Sequence, residues 1–563
     1  MDFRTDFRTH GGSSVPVRFR RTLLSIESGP GRFPRERRPM HLEVKRVNFL
    51  IPSIAHFLFL ILFLQLSLNV GNRLLVDGDT GIHIRMGSII LEERALPSFD
   101  HFSYGSPPHS WSTHEWLSQV IMSVVHDSFG LTGIVIFFIT LISFTYSLFF
   151  VFMRHNKDNI LMDILLFLIV ILSSQISWTA RPHIFSILFS TIVLRILNTF
   201  QYSERSHLYW LPLITLFWVN LHGGFIVSIL LISIFLVGNL FNGFISKGVE
   251  KEVHWKAGRS LFLTLLACLL ASLVNPSGYH AITIPFQVVS DQLLMDNVQE
   301  FLSPNFHKPI FYKYLLMLMI AVLSVSRMRL DAIELSLILV FTYMSLYSAR
   351  HIALFAVIAA PIMSKYMDLN RNEFLRGLSP AYSRRSSSVA DIDARSGGYL
   401  WPVAAVLVII VMASRGDTSF KFEEKNLKPM SAVEFLKKER LEGNMFNLDE
   451  FGDYMIYALY PQHKVFIDSR HEIYMRERFQ DYLDVISLKP GWDKILDKYD
   501  INWIIFNKDS FLSRFLSNSE AWKPIYSDPM ASIFVKNKPE NQDLIMKYRQ
   551  VGRTSSRGWG RDV

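Results

Sequence analysis

The chain has 563 residues, 50% of them hydrophobic, with a mean hydropathy of +0.23 and a formal net charge of +9. Its apolar residues fall in long blocks rather than at periodic positions, which excludes an ordinary soluble enzyme. The positive excess lies in loops and at the N-terminus, where it reads as membrane orientation, so membrane lipids are expected as partners and nucleic acid is not.

Residues 1–39 are rich in Arg, Gly, Ser and Pro and contain no Lys, and read as a disordered tail with Met40 as an alternative start. The first apolar block is long and lacks a small-residue cleavage site, so no cleavable signal peptide is expected. Apolar blocks follow over 49–70, 131–153, 160–176, 183–199, 209–221, 225–240, 260–274, 311–325, 332–347, 351–363 and 399–412. Crossing a hydrocarbon core takes roughly 20 apolar residues, and with no water inside it each block must bond its own backbone, which selects helices. The single cysteine, Cys268, lies in one of these blocks, which excludes an intrachain disulfide and a cysteine-built metal centre.

Short cytoplasmic loops carry the Lys and Arg excess. Lys45 and Arg46, Arg154 and Lys157, Arg205, the stretch 247–259, Arg327 and Arg329, and the segment 371–385 all fall on one side, which is then the cytoplasm. The expected fold is a mainly α polytopic membrane protein of about eleven transmembrane helices with a small C-terminal extracytoplasmic α/β domain. Its parts are the tail 1–39, a helical domain 40–414 with a first outer loop 71–130 and a cytoplasmic linker 364–398, the α/β domain 415–540, and a disordered tail 541–563. In the C-terminal domain an amphipathic stretch over 431–440 alternates with strand-like runs at 464–467, 503–506 and 532–535.

The outward turns gather unusual polar residues: Asp77, Asp79, His83 and Arg85, then His114 and Glu115, Arg181 and His183, Asn220 and His222, Asn275, Glu300, and Arg350 with His351. Ionisable groups at membrane depth are costly, so their convergence on one face points to a functional site, whereas any one of them alone fits a paired neighbour or a solvated helix end. The inward turns carry mainly Lys and Arg, which topology already explains, and this asymmetry speaks against a transporter gated on both sides.

Asp77-Gly78-Asp79 suits a hard divalent cation such as Mg or Mn, a carboxylate base, or a plain turn with a helix N-cap at Asp79. His114-Glu115 lacks the second His of a zinc-protease helix. Arg181, Asn220, His222 and Arg350 offer donors to a phosphate or pyrophosphate, the Arg fork being able to bond two phosphate oxygens at once. Asp468, Arg470 and Glu472 fit acceptor contacts or a structural salt-bridge cluster.

This order of features resembles the GT-C superfamily of membrane glycosyltransferases, which includes oligosaccharyltransferase catalytic subunits and protein O-mannosyltransferases. The resemblance rests on Asp79 followed by His83 and Arg85. It rests also on Arg181-Pro182-His183, Trp218 to Gly224, Asn275-Pro276, Arg350-His351 and Phe466-Ile467-Asp468-Ser469-Arg470, which look most like uncharacterised bacterial members. No Trp-Trp-Asp acceptor motif occurs in the C-terminal domain, so the resemblance stops short of an Asn-containing sequon. It implies inverting transfer from a polyprenyl-linked sugar donor to a lipid, glycan or protein acceptor, with Asp79 and then Asp77 as catalytic candidates, at the outer face of a bacterial inner membrane. A lipid-linked-sugar transporter or an envelope-assembly scaffold is the alternative.

Overall fold

The computed structural model describes residues 50–548 except 106–110, 112, 155–158, 204, 327, 368–378, 425–427 and 475. The expectations for the N-terminal tail, Met40, Lys45, Arg46, Lys157 and Arg327, and for the tail beyond 548, lie outside the described residues.

The helical part runs α1 (Ile54–Gln65), α2 (Asp79–Glu93), α3 (Trp116–Met153), α4 (Ile160–Ser174), α5 (His183–Tyr202), α6 (Trp210–Leu221), α7 (Ile226–Ile245) and α8 (Gly248–Ser272). It continues through α9 (His280–Ser290), α10 (Gln292–Asn297), α11 (Tyr312–Val325), α12 (Ala332–Tyr347), α13 (Ile352–Tyr366), α14 (Ser379–Ala394) and α15 (Leu400–Ser414). Among the described residues five stretches are long and apolar enough to cross a membrane: Ile54–Leu75, Trp116–Met153, Ile160–Ser177, His183–Tyr202 and Gly223–Ile245. Trp210–Leu221, Tyr312–Val325, Ala332–Tyr347 and Leu400–Ser414 are shorter apolar helices.

Several segments differ from the sequence expectation. The start of the first outer loop is α2, and the loop's end joins the second apolar block in α3, broken only at Gly130, whose φ of 62° suits a residue without a Cβ. α8 takes in the basic stretch expected as a loop before residue 260. The segment expected as a linker carries α14, whose Asp393 receives Arg154 at 2.5 Å and the Ile54 N–H at 2.7 Å, tying it to the start of α1.

The C-terminal domain holds α16 (Met430–Lys438), β1 (Asn444–Asn447), α17 (Asp449–Leu459), α18 (Arg476–Ile486), α19 (Trp492–Lys498), β2 (Ile501–Asn507), α20 (Phe511–Ser517), β3 (Trp522–Ser527), β4 (Ala531–Lys536) and α21 (Gln542–Lys547). The sheet order is β1-β2-β4-β3, with β1 and β2 parallel and the other pairs antiparallel. The run at 464–467 is not a strand of this sheet. Asn447 Oδ1 accepts from the Phe466 N–H at 2.8 Å and Asn447 Nδ2 donates to the Ile467 carbonyl at 2.8 Å, so a side chain takes the place of a ladder. Val465 instead pairs with Ser103, its N–H donating to the Phe102 carbonyl at 2.9 Å, which fastens the first outer loop to the domain. α21 falls inside the expected C-terminal tail, yet Lys547 and the Tyr548 hydroxyl hold Glu439 at 2.6 and 2.8 Å.

The ends expected to face inward also differ. At the end of the α12–α13 hairpin remote from Arg350, Glu334 is buried, accepts from Lys365 and lies 2.7 Å from the Tyr366 hydroxyl. Asp331 and Glu334 form a reciprocal capping box on α12, Tyr202 donates to Asp331 at 2.6 Å, and Ser364 donates to the buried Asp163 at 2.6 Å. Beside the Lys and Arg expected at these turns, buried carboxylates that the sequence reading did not single out lie within the adjoining apolar blocks, each supplied with a donor from a neighbouring helix.

Candidate active site

The site forms where α2 meets α17. Gly78 and Gly81 make that approach possible, since a Cβ on Gly81 would come within 2.7 Å of the Tyr457 Cβ and one on Gly78 would collide with Asp453. α2 starts at Asp79, whose N–H donates to Asp77 Oδ1 at 3.1 Å, so the Asp-Gly-Asp turn is at once a helix start and a pair of carboxylates. The Thr80 hydroxyl donates to the Ala180 carbonyl at 3.0 Å and the Ala180 N–H to the Leu74 carbonyl at 2.8 Å, which fixes the Arg181 turn beside it.

Arg181 bridges the acids. Its Nη1 donates to Asp77 at 2.6 Å and lies 3.4 Å from Glu300, while Nη2 donates to Asp79. Glu300 in turn lies 3.7 Å from Arg350, whose guanidinium rests over the Phe301 ring at 4.8 Å. The C-terminal domain completes the cluster, with the Ser469 hydroxyl donating to Asp79 and the Ser469 N–H to Asp453 at 2.9 Å. Asp77, Asp79 and Asp453 bring three carboxylate oxygens within 4.8 Å of one another. Three hard oxygen donors fit a divalent cation of the Mg or Mn kind, and Arg181 is the positive charge that Asp77 and Asp79 share in this structure.

The environments of these acids diverge. Burial, reinforced by the Asp77 charge and opposed by Arg181 and the Ser469 hydroxyl, pushes Asp79 up to about 7. Burial also acts on Asp77, but there Arg181 and the Asp79 N–H outweigh it and hold the carboxyl below its usual range. Burial beside Asp79 and Asp468 pushes Asp453 well up, and Arg350 and Arg181 together overcome burial to hold Glu300 down.

On its other side Asp79 lines a cavity of about 50 Å³ with His83, Trp111, His114, Glu115, Arg470 and Glu472. Glu115 stands at the start of α3 with the Nε2 atoms of His114, His222 and His83 at 3.5, 3.7 and 3.9 Å. Burial of Glu115 is outweighed by His222, His114 and His83, which keep it well below the usual carboxylate range. Arg470 donates to Asp468 at 2.9 and 2.7 Å and to Asp100 at 2.9 Å, over the rings of Phe102 and Trp111. The salt-bridge cluster open as one reading of Asp468 and Arg470 is thus present, and Glu472 stands apart from it at the cavity.

Not every polar residue of the turns expected to face outward joins these groups. Arg85 donates to the Tyr457 carbonyl at 3.0 Å and links α2 to α17. Asn220 accepts from Trp116 at 2.7 Å and donates to the Leu216 and Val274 carbonyls at 2.9 Å, so it fastens helices together. His222, expected beside a phosphate with Arg181, belongs to the Glu115 side, and its Nδ1 accepts from the Gly224 N–H at 2.9 Å. His183 Nε2 meets the Ser177 carbonyl at 2.5 Å, and His351 sits on the turn beside Arg350. Sequence reading missed Asp453, which lies far along the chain in an ordinary amphipathic helix. Ser469 was visible only as part of the Asp-Ser-Arg run.

No family model matches the sequence, and no curated protein matches it. Among solved structures, the chain is similar to the archaeal oligosaccharyltransferase AglB from Archaeoglobus fulgidus, determined with an inhibitory peptide and a dolichol-phosphate. The likeness covers 86% of this chain and 74% of that one at 9% identity and a TM-score of 0.48, which leaves every residue role to the geometry above.

Proposed function

We propose that this chain is an integral membrane glycosyltransferase of GT-C-like build with about eleven spans. It moves a sugar from a polyprenyl phosphate or diphosphate to an acceptor on the extracytoplasmic face, in a bacterial inner membrane, with inversion. The observation that carries the reading is the position of Asp79, which touches Arg181 on one side and a small cavity with His83, His114 and Glu115 on the other.

In this reading the donor phosphate lies against Arg181 and Arg350, and the acceptor enters the cavity. The Asp79 carboxylate takes the proton of the acceptor hydroxyl as its oxygen attacks the anomeric carbon from the face opposite the phosphate. The bond between that carbon and the phosphate oxygen breaks, and its electron pair stays on the phosphate. Charge developing there is met by guanidinium groups already in place, which is where preorganised donors help most. A divalent cation held by Asp77, Asp79 and Asp453 would add positive charge at the same phosphate. Asp453 and Ser469 make the C-terminal domain a structural part of the site.

The test is transfer from a labelled polyprenyl-phosphate sugar in membranes containing wild type or an equally expressed Asp79→Asn variant. Loss of transfer in the variant supports the reading, and equal activity removes Asp79 from the chemistry. A lipid-linked-sugar carrier is the second reading, favoured by the buried Glu334–Lys365 pair at the far helix ends. Movement of an unreacted lipid-linked sugar across proteoliposomes, unchanged by Asp79→Asn, would support that one instead.

A further inference from the structure

The cavity beside Asp79 has a chemistry of its own. Thr113 donates to Gln119 Oε1, which leaves Gln119 Nε2 facing His83 Nδ1 at 3.4 Å, so the His83 proton sits on Nε2. The Gly224 N–H occupies His222 Nδ1 at 2.9 Å, so that ring too carries its proton on Nε2. Glu115 lies 3.9 Å from His83 Nε2 in the cavity wall and 3.7 Å from His222 Nε2 behind it, both beyond direct hydrogen-bond length. Polar contacts at such distances are where an intervening oxygen belongs.

A group that fits between an N–H donor and a carboxylate must accept and donate through one atom. A hydroxyl does both, whereas an ammonium only donates and a carboxylate or phosphate only accepts. Arg470 adds a second observation. It is about nine-tenths buried at 9% exposure, and its Nη1 has no hydrogen-bond partner among the described residues although the residue lines the cavity. Asp79, Glu115 and Glu472 place three acids on the wall against one arginine that Asp468 and Asp100 already neutralise, which disfavours anionic guests. A volume of about 50 Å³ takes only a hydroxyl-bearing edge of a larger guest, and the Trp111 ring beside the polar groups suits the apolar face of a sugar ring.

We propose that this cavity is the acceptor subsite and takes the hydroxyl-bearing edge of a neutral sugar ring, held by Glu115, His83, Glu472 and Arg470 with Trp111 as the apolar wall. The proposal rests on the transferase reading for the word acceptor, and it makes that acceptor a carbohydrate rather than a peptide.

The test reads binding without turnover. Purified full-length protein in lipid nanodiscs is mixed with methyl hexopyranosides or with an N-acetylated asparagine amide, and saturation transfer to ligand protons is recorded by NMR. Saturation of at least one hexopyranoside is expected, weakened about tenfold or more in Glu115→Gln and in Glu472→Gln, as loss of a hydrogen bond to a charged group implies. Glu472 is exposed, so its variant retains the fold if the buried Glu115 variant does not. No saturation with any sugar, equal saturation in folded variants, or preference for the amide would overturn the proposal. An inactive protein that still binds sugar through these residues would sink the transferase reading and leave the sugar site standing.

Discussion

Two ends of the same helical bundle bury carboxylates beside cations, and they are built differently. At the far end, Glu334, Lys365, Asp331 and the hydroxyls of Tyr202 and Tyr366 come from α5, α12 and α13, and two of them close a capping box. That cluster is complete within the helices. At the other end, Asp77, Arg181, Glu300 and Arg350 come from turns between helices, Asp79 from the first position of α2, and Asp453 and Ser469 from the C-terminal domain. There Arg181 is shared among three acids, one side of Asp79 faces a cavity, and buried Arg470 Nη1 has no hydrogen-bond partner among the described residues. A buried ion pair by itself is weak evidence of function. What separates the ends is whether the charges satisfy one another or still face space.

Substitutions can break or sharpen this contrast. The largest effect is expected from Arg181→Ala, which should lower transfer by roughly 10²–10³ because a preorganised donor to the departing phosphate is lost, measured as single-turnover rates at saturating donor. Arg181→Lys should recover part of the rate but not wild-type activity, since one ammonium cannot repeat the fork across Asp77 and Asp79.

At the far end, Lys365→Met should cost roughly 3–5 kcal/mol of stability by leaving Glu334 buried without its cation, while activity per folded molecule is unchanged. Thermal unfolding in detergent checks this, and the Glu334→Leu/Lys365→Met double variant should regain most of the loss.

The pH profile is a smaller effect. Asp79 is pushed up to about 7, so it holds its proton below that pH and can accept one only above it. Transfer should therefore rise with pH through about 7 and level off beyond, and a flat profile between 5 and 9 would leave Asp79 without the role of base. The smallest change belongs to Ser469→Ala. The Ser469 hydroxyl favours the charged form of Asp79, so its loss should move that rise to higher pH with a rate change of about tenfold or less at neutral pH.

Much of the helical layout was legible because apolar runs carry their own signal: the blocks expected at 160–176, 183–199, 209–221, 311–325, 332–347 and 399–412 each hold a helix near those bounds. The part of the site drawn from residues 77–79 was legible for the same local reason, two acids on either side of one glycine. Asp453 was not, because its role depends on α17 lying against Gly78 and Gly81, a contact between segments more than 300 residues apart that leaves no mark in local spacing. The helix α9 and the side-chain ladder made by Asn447 were missed for related reasons: a Pro285 inside the first and a tertiary hydrogen bond in the second override the local pattern. The pairing of Asp163 and Glu334 was not legible because both lie within apolar blocks and Lys365 lies at the start of the expected linker, where pairing depends on which helices are neighbours.

The most direct measurement sets the two ends side by side: transfer per folded molecule and unfolding temperature for Asp79→Asn and Lys365→Met, purified and reconstituted with a labelled polyprenyl-phosphate sugar. The account predicts that Asp79→Asn keeps its unfolding temperature and loses transfer, while Lys365→Met unfolds earlier and transfers at the wild-type rate. Full transfer by Asp79→Asn, or loss of transfer confined to a folded Lys365→Met protein, would contradict it.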